Sequence, residues 1–429
     1  MEKKHWNVLV FPGGMENGIE IFNSLRYCKE ISLFSASSNF PNQAFYLYQN
    51  NHICSDVRSS QWVDELNSII HDCHIDIVYP ANSIVIDALQ SKKKLIQTDI
   101  LLPEDDVLNT TRSKKNTINT LKDVIPTPIC YNDIQSVTSF PVFAKPDKGY
   151  GSQGATVIND IVALSNIDFN SYIIQELLPG KEYTIDCFSD YNGELLFSSG
   201  RERSRIRMGT SMHAEPITTE LESYFKNCAI QILKKILITG AWFFQMKEDK
   251  DGQLKLLEID VRIAGTMCYN RCKGVNFPLL SIYNFYKLPV SILENNNYIT
   301  LDRCLRNRYI FNYEYDTVYI DLDDTIIVDN LVNTDMIKFL YQCINKNKKI
   351  ILLSKHNGEK TEYLIKYHIK DIFSSIIWLE ECDDKYKYIK PDNSIYIDDS
   401  FSQRKDVSEK LGIPTFDPSM IECLIDERI

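Results

Sequence analysis

The chain has no run of about 18 apolar residues, so nothing in it reads as a membrane-spanning helix. Its opening stretch passes through Asn7-Val-Leu-Val-Phe11 straight into Pro12-Gly13-Gly14. It shows neither the apolar segment nor the small-residue cleavage site of a secretory leader. Among twelve cysteines there is no Cys-x-x-Cys pair, and only Cys268 and Cys272 lie close together, which excludes a disulfide scaffold and points to reduced, buried thiols in the cytoplasm. Excess positive charge is also missing. A formal net charge of −11 argues against nucleic acid as a main partner, though a local basic cleft is compatible with it. No internal repeat and no low-complexity linker interrupt the chain. What is present is length and apolar content: 429 residues call for two or three domains, and 44% hydrophobic residues suffice for their cores.

Strand and helix patterns alternate at the start. Asn7–Phe11, Ile31–Ser35 and Ile75–Tyr79 read as short buried strands, and Gly18–Leu25 as a helix with Ile19, Phe22 and Leu25 on one face. Such alternation implies a parallel sheet, here over residues 1–105. From 106 to 305 the pattern changes. A helix over 113–123 ends before Pro126-Thr-Pro128. Strands follow at Val142–Lys145, Tyr172–Gln175, Tyr183–Phe188, Glu194–Ser198, Trp242–Met246 and Lys255–Ile259, the last two joined by a hairpin turn at Gly252. This is an α+β region rich in antiparallel sheet. A third region, 315–429, has strands at 317–321, 349–353 and 394–398, giving a chain of mixed α/β and α+β class.

In the middle region, Lys145 ends a strand and Lys148-Gly149-Tyr-Gly151-Ser152-Gln153-Gly154 follows as a glycine-rich loop. Glycines let backbone N–H groups approach phosphates, and a lysine adds a point charge. The loop lacks the Gly-Lys-Ser/Thr ending of a P-loop, and no helix pattern follows it. Gln245, Glu258 and Asp260 fall on neighbouring strands. Glu258 and Asp260, two apart, face the same side, and this oxygen set suits Mg²⁺. Arg201, Arg203, Arg205 and Arg207 form a basic run in an acidic chain; strand alternation puts all four on one face, either solvated or lining an anionic substrate pocket. Asn82, Ser83 and Glu16 are weaker candidates for that pocket.

On these residues, the stretch from 1 to about 300 resembles the ATP-grasp superfamily, nearest to carbamoyl-phosphate-synthase-like or carboxylate–amine ligases. The resemblance implies a pre-ATP-grasp α/β unit, an ATP-grasp fold with its small nucleotide lobe at about 115–180, and ATP with Mg²⁺ (or Mn²⁺) as cofactors. It assigns ATP contacts to Lys114, Lys145 and the glycine loop, adenine-side contacts to Glu176 and Leu178, and ribose contacts to Glu182. It makes Gln245, Glu258 and Asp260 the metal ligands, with Asp260 standing where the family usually carries Asn, and places Arg262 at the γ-phosphate or acyl phosphate.

In the last region Val318-Tyr-Ile-Asp321-Leu-Asp323-Asp324-Thr325 puts two carboxylates just past a strand, where an open α/β sheet carries its chemistry. Asp321 can attack a phosphoryl group and Asp323 can protonate the leaving oxygen and later activate water. Ser354 ends the next strand as a phosphate-orienting hydroxyl. Lys385, with Lys387 as its rival, supplies positive charge, and Asp398 and Asp399 end the third strand ready for Mg²⁺. This order is similar to the haloacid-dehalogenase-like phosphatases. It implies a Rossmannoid parallel sheet in which Asp321, Asp323, Asp398 and Asp399 surround a metal. About thirty residues separate Asp321 from Ser354, too few for a large cap domain.

The expectation is a bifunctional biosynthetic enzyme. A ligase activates a small-molecule carboxylate for attack by an amine, and a phosphatase removes a phosphate from a phosphorylated substrate or product. Neither nucleic acid nor membrane is a partner, and a homodimer is compatible with the sequence. Two alternatives stay open: a nucleotide-sensing module regulating a phosphatase, and a carbamoyl-phosphate-like synthase.

Overall fold

The computed structural model describes residues 5–149, 151, 153–207, 209–295, 298–358 and 360–428. They form two compact units, one running to Leu305 and one spanning Arg306–Arg428.

The first unit begins with a parallel five-stranded sheet. Its strands are β1 (Trp6–Phe11), β2 (Ile31–Ser37), β3 (Asn51–Ile53), β4 (Ile77–Pro80) and β5 (Asp99–Ile100), in the order β3-β2-β1-β4-β5. The continuous apolar run of β1 reflects burial on both faces. Val8 and Val10 join Phe22 and Phe277 on one side, while Leu9 and Phe11 join Trp62 and Leu66 on the other. The helix Glu16–Leu25 sits hard against the preceding turn: a Cβ at Gly18 would lie 2.6 Å from the carbonyl oxygens of Pro12 and Gly13.

The helix expected over 113–123 is present as Lys114–Leu121, and a further helix, Asp105–Arg112, precedes it. They break at Ser113, whose extended backbone and side chain cap the second by accepting from Asn116 N–H. A four-stranded antiparallel sheet follows: β6 (Cys130–Tyr131), β7 (Val142–Pro146), β8 (Thr156–Ile158) and β9 (Tyr172–Glu176), in the order β6-β9-β7-β8. The glycine loop joins β7 to β8.

The largest sheet has six antiparallel strands: β10 (Glu182–Ser189), β11 (Leu195–Arg207), β12 (Thr210–Pro216), β13 (Gly240–Glu248), β14 (Leu254–Asp260) and β15 (Leu301–Asp302), in the order β14-β13-β10-β11-β12-β15. Alternation divides its faces. Ile185, Cys187, Phe244, Met246 and Ile259 pack with Phe225 and Ile232 of the helix Thr219–Leu233. The other face carries a cross-strand row, Glu258, Gln245, Thr184 and Arg201, each opposite the next in register.

The second unit has a parallel sheet ordered β20-β19-β16-β21-β22, made of β16 (Thr317–Ile320), β19 (Lys349–Ser354), β20 (Ser375–Trp378), β21 (Ser394–Ile397) and β22 (Thr415–Phe416). Val318 and Ile320 meet Phe339 and Leu340 on one face; Tyr319 and Tyr396 pack on the other. Between β16 and β19 lie a hairpin, β17 (Ile327–Val328) with β18 (Leu331–Val332), and the helix Thr334–Asn345.

Candidate functional sites

Two cavities in the first unit share a wall. The first, of about 260 Å³, lies between the four-stranded and six-stranded sheets and is lined in part by Lys114, Lys145, Gly149, Leu178, Glu182 and Glu258. The second, of about 460 Å³, opens toward the N-terminal sheet and is lined in part by Asn82, Ser83, Arg201, Arg262 and Arg303. Gly151, Gln153, Arg203, Gln245 and Glu258 border both.

The cations of the first cavity are fixed by backbone acceptors. Lys145 Nζ donates to Leu257 O at 3.0 Å, and Lys114 Nζ to Asp147 O at 3.2 Å. Burial pushes the Lys145 amine down to about 8, with Glu258 opposing, and lowers the Lys114 amine as well. Glu182 is paired with Arg203 and lies 3.5 Å from Lys247 Nζ. Gln245 faces Glu258 across β13 and β14. With its amide oxygen turned to Thr184 and Arg203, its nitrogen donates to Glu258 Oε1 at 3.1 Å.

Several expected residues are placed otherwise. Glu176 turns its carboxylate to Ile129 N–H at 2.9 Å, closing the end of the β6–β9 pairing, and leaves Gln175, Leu177 and Leu178 to line the cavity. Gly154, at φ +73°, shapes the turn into β8 without lining the cavity; Ser152 lies outside the described residues. Asp260 is not among the residues lining either cavity. Its oxygens are held by Arg112 Nη1 at 2.7 Å, Arg262 Nε at 2.8 Å and Ser83 Oγ at 3.1 Å. Burial works to raise its pKa, but the two guanidiniums prevail and hold it below the usual carboxylate value. Arg112 has no signal in the sequence, because it enters from a helix end almost 150 residues away.

The four arginines do not share a face. Register shifts on β11 between Glu202 and Arg205, and again before Ile206, break the alternation. Arg201 is buried and makes a two-point ion pair with Asp186, at 3.0 and 3.1 Å. Arg203 borders both cavities. Arg205 is largely exposed against Asp302, and Arg207 is exposed. Arg303, absent from the sequence-based candidates, lines the second cavity beside Arg201 and Arg203 and donates to Glu16 at 3.2 Å.

In the second unit, Lys385 is buried between Asp321, at 2.9 Å, and Asp398, at 2.7 Å. Lys387 is exposed and paired with Asp384, so Lys385 is the lysine at this cluster. Asp321, Asp398 and Asp399 offer oxygens within 4.8 Å of one another, the one such metal-sized cluster of three acidic, Cys or His groups among the described residues. Burial pushes the Asp321 carboxyl up to about 6, opposed by Lys385 and reinforced by Asp398. Tyr396 Oη donates to Asp398. Asp323 stands apart from the cluster and contacts His356 Nδ1 at 2.8 Å. Ser354 Oγ accepts from His356 N–H at 3.1 Å. His356 carries no signal in the sequence beyond its place two residues past the end of β19.

Comparisons with known proteins bear on the first unit. The family described as ATP-grasp in the biosynthetic pathway with Ter operon matches residues 168–302. No curated protein matches the chain. Among solved structures, the biotin carboxylase domain of Hydrogenobacter thermophilus 2-oxoglutarate carboxylase, crystallised with MgADP and bicarbonate, is similar with a TM-score of 0.59 at 14% identity, over 69% of this chain and 74% of its own. Campylobacter jejuni biotin carboxylase in complex with an ATP analogue gives 0.58 at 15%, over 68% and 74%. An ADP complex of N5-carboxyaminoimidazole ribonucleotide synthetase gives 0.55 at 15%, over 69% and 80%. No described helix is long and apolar enough to cross a membrane. With a mixed α/β architecture, two cavities meeting at Gln245 and Glu258, and these structural likenesses, the chain carries an ATP-grasp fold.

Proposed function

We propose that the first unit is an ATP- and Mg²⁺-dependent ligase. A carboxylate oxygen of the substrate attacks the γ-phosphorus of ATP, ADP leaves, and an acyl phosphate forms. An amine then attacks the acyl carbon, inorganic phosphate leaves, and the amine's surplus proton is released. The observation that carries this reading is the shared wall of the two cavities: Gln245 and Glu258 border both, so a nucleotide in one points its phosphates at a substrate in the other. Lys114 and Lys145 suit the phosphates, and the glycine loop suits closure over them. Glu258, with the Gln245 amide turned so that its oxygen faces Glu258, would hold Mg²⁺, which when bound neutralises phosphate charge. Asp260 serves here to fix Arg262 rather than as a ligand. The crystallised nucleotide complexes of the similar structures support the nucleotide assignment.

We further propose that the second unit is a phosphomonoesterase. Asp321 attacks phosphorus and takes the phosphoryl group, Asp323 protonates the leaving alcohol, and Asp323 then deprotonates the water that releases phosphate. Asp321, Asp398 and Asp399 would hold the Mg²⁺ that offsets phosphoryl charge, and Lys385 holds Asp321 in place. Its substrate is what the ligase handles, as a phosphorylated precursor or product.

The test is ADP release from MgATP over paired carboxylates and amines, with wild type and Glu258→Ala. Turnover that survives Glu258→Ala sinks the ligase assignment. Phosphate release from a phosphomonoester that survives Asp321→Asn sinks the phosphatase assignment. Bicarbonate belongs in the screen, since a similar structure binds it. Bicarbonate-dependent ADP release in the absence of any other acid would favour a carbamoyl-phosphate-like synthase.

A further inference from the structure

The second cavity has more cationic machinery than one reacting carboxylate needs. Its floor is the row Glu258, Gln245, Thr184 and Arg201, which crosses four neighbouring strands in register. Strands lie about 4.8 Å apart, so Arg201 stands about 14 Å of backbone away from Glu258. The phosphoryl junction, with Glu258 and Gln245, is at one end of the row. Arg201 is at the other.

Arg201 is 1% exposed and set rigidly. Asp186 takes its Nε and Nη2, and Asn270 Nδ2 braces Asp186 at 2.9 Å. Arg201 Nη1 is buried with no hydrogen-bond partner, and the residue lines the cavity. A buried donor left without an acceptor costs about 1–3 kcal/mol, so its natural complement is an acceptor on a ligand. Arg303 contributes a second guanidinium to the same cavity, anchored by Ser211 O at 3.2 Å and Glu16 at 3.2 Å. Gly265 leaves room for that pair, since a Cβ there would lie 3.3 Å from Glu16 Oε2 and 3.8 Å from Arg303 Nη1. Carboxylates do face the cavity, namely Glu16 and Glu258. Glu16 is spent on Arg303, and Glu258 belongs to the phosphoryl junction. Arg262 sits with Asp260 and Ser83, toward the N-terminal sheet.

We propose that the substrate carries a second anionic group, a carboxylate or a phosphate monoester, seated on Arg201 and Arg303 at the far end of this row from its reacting carboxylate. The inference rests on the ligase reading above and narrows it to doubly anionic acids. The guanidiniums are pre-oriented by acids behind them, so planar two-point recognition of the second anion costs little reorganisation.

The experiment measures ADP release with MgATP and a fixed amine for dicarboxylic acids of increasing length, for their mono-amides, and for carboxylic acids bearing a terminal phosphate. The expected result is a KM at least tenfold lower for a dianion than for its mono-amide, with a best length. The phosphate and carboxylate arms decide which second anion is native. Arg303→Gln should erase the preference by raising the dianion's KM tenfold while the mono-amide's KM and the KM for ATP stay within twofold. Arg201→Gln should do the same, but it strips Asp186 of its partner and can fail to fold, so Arg303→Gln decides. Equal KM values for dianion and mono-amide, or a loss in Arg303→Gln that is the same for both, would overturn the proposal. If MgADP raises the melting temperature yet no acid releases ADP, the ligase reading fails separately. Calorimetry of glutarate and inorganic phosphate against the MgADP complex then decides the site: binding that Arg303→Gln abolishes upholds it, and no binding overturns it.

Discussion

Arg112 Nη1 donates to Asp260 Oδ1 at 2.7 Å, and the same guanidinium reaches Asp87 through Nε at 2.8 Å. Asp260 is thereby a bridge between two arginines, with Arg262 on its other oxygen. An Asn at this place could not balance both charges.

Asp260→Asn should therefore destabilise the first unit by about 2–4 kcal/mol, because it removes the charge from a buried, hydrogen-bonded pair. MgADP affinity should change less than threefold, as Glu258 and Gln245 remain. Chemical denaturation and calorimetric titration check the two parts. A loss of metal-dependent nucleotide binding without loss of stability would mark Asp260 as a metal ligand instead.

On the proposed nucleotide assignment Lys145 contacts phosphate only when protonated, and burial has lowered its amine to about 8. Nucleotide affinity should be flat below that value and fall as pH rises through it. Between pH 7 and pH 9 the dissociation constant for MgADP should rise by roughly tenfold, with proton uptake on binding above pH 8. Lys145→Met should weaken binding and flatten this profile.

The Asp321 carboxyl is raised to about 6, so from the ordinary carboxylate range up to pH 6 the folded state binds more protons than the unfolded one. Stability of the metal-free second unit should accordingly fall as pH rises from 4 through 6. At pH 7 Asp321→Asn should raise its melting temperature by a few degrees in chelator, and Mg²⁺ should stabilise wild type more than the variant. Lys385→Ala should cost about 3–5 kcal/mol, because it leaves Asp321 and Asp398 buried without their shared cation.

His356 holds Asp323 at 2.8 Å and stacks on Tyr363 with ring centres 4.3 Å apart. His356→Ala should release Asp323 from this orientation and lower kcat for p-nitrophenyl phosphate by about tenfold with little change in KM. His356→Asn, which keeps a hydrogen-bonding side chain, should recover part of the loss. Steady-state kinetics would separate this from a binding role, which would appear in KM.

The elements that could be read early are those whose local pattern and burial agree. The apolar β1 run, the hairpin at Gly252 and the strands bearing Asp321 and Asp398 fall within a residue or two of expectation. The alternation of β13 and β14 also sent Gln245 and Glu258 to one face, and the structure pairs them. The arginine run was misread because two register shifts on β11 carry no composition signal. The helix at Lys114–Leu121 falls within two residues of expectation, whereas the short helix before it, Asp105–Arg112, has no counterpart among the expected elements.

By itself the sequence determined the strands with strong apolar runs, which side chains alternate to one face where pairing is regular, and which acids end a strand. These follow from the two-residue period of extended chain and from the short range of turn and cap chemistry. Shorter or polar strands such as β3 and β12 carry no such signal. The tertiary structure alone decided the partners. Arg112 came to Asp260, Ser83 to Arg262, Arg303 to Glu16 and His356 to Asp323, and Arg201 was buried with one donor unpaired. Spacing along the chain is silent on such contacts because they depend on how sheets and helices pack across tens or hundreds of residues, where shape and charge compensation select the neighbour.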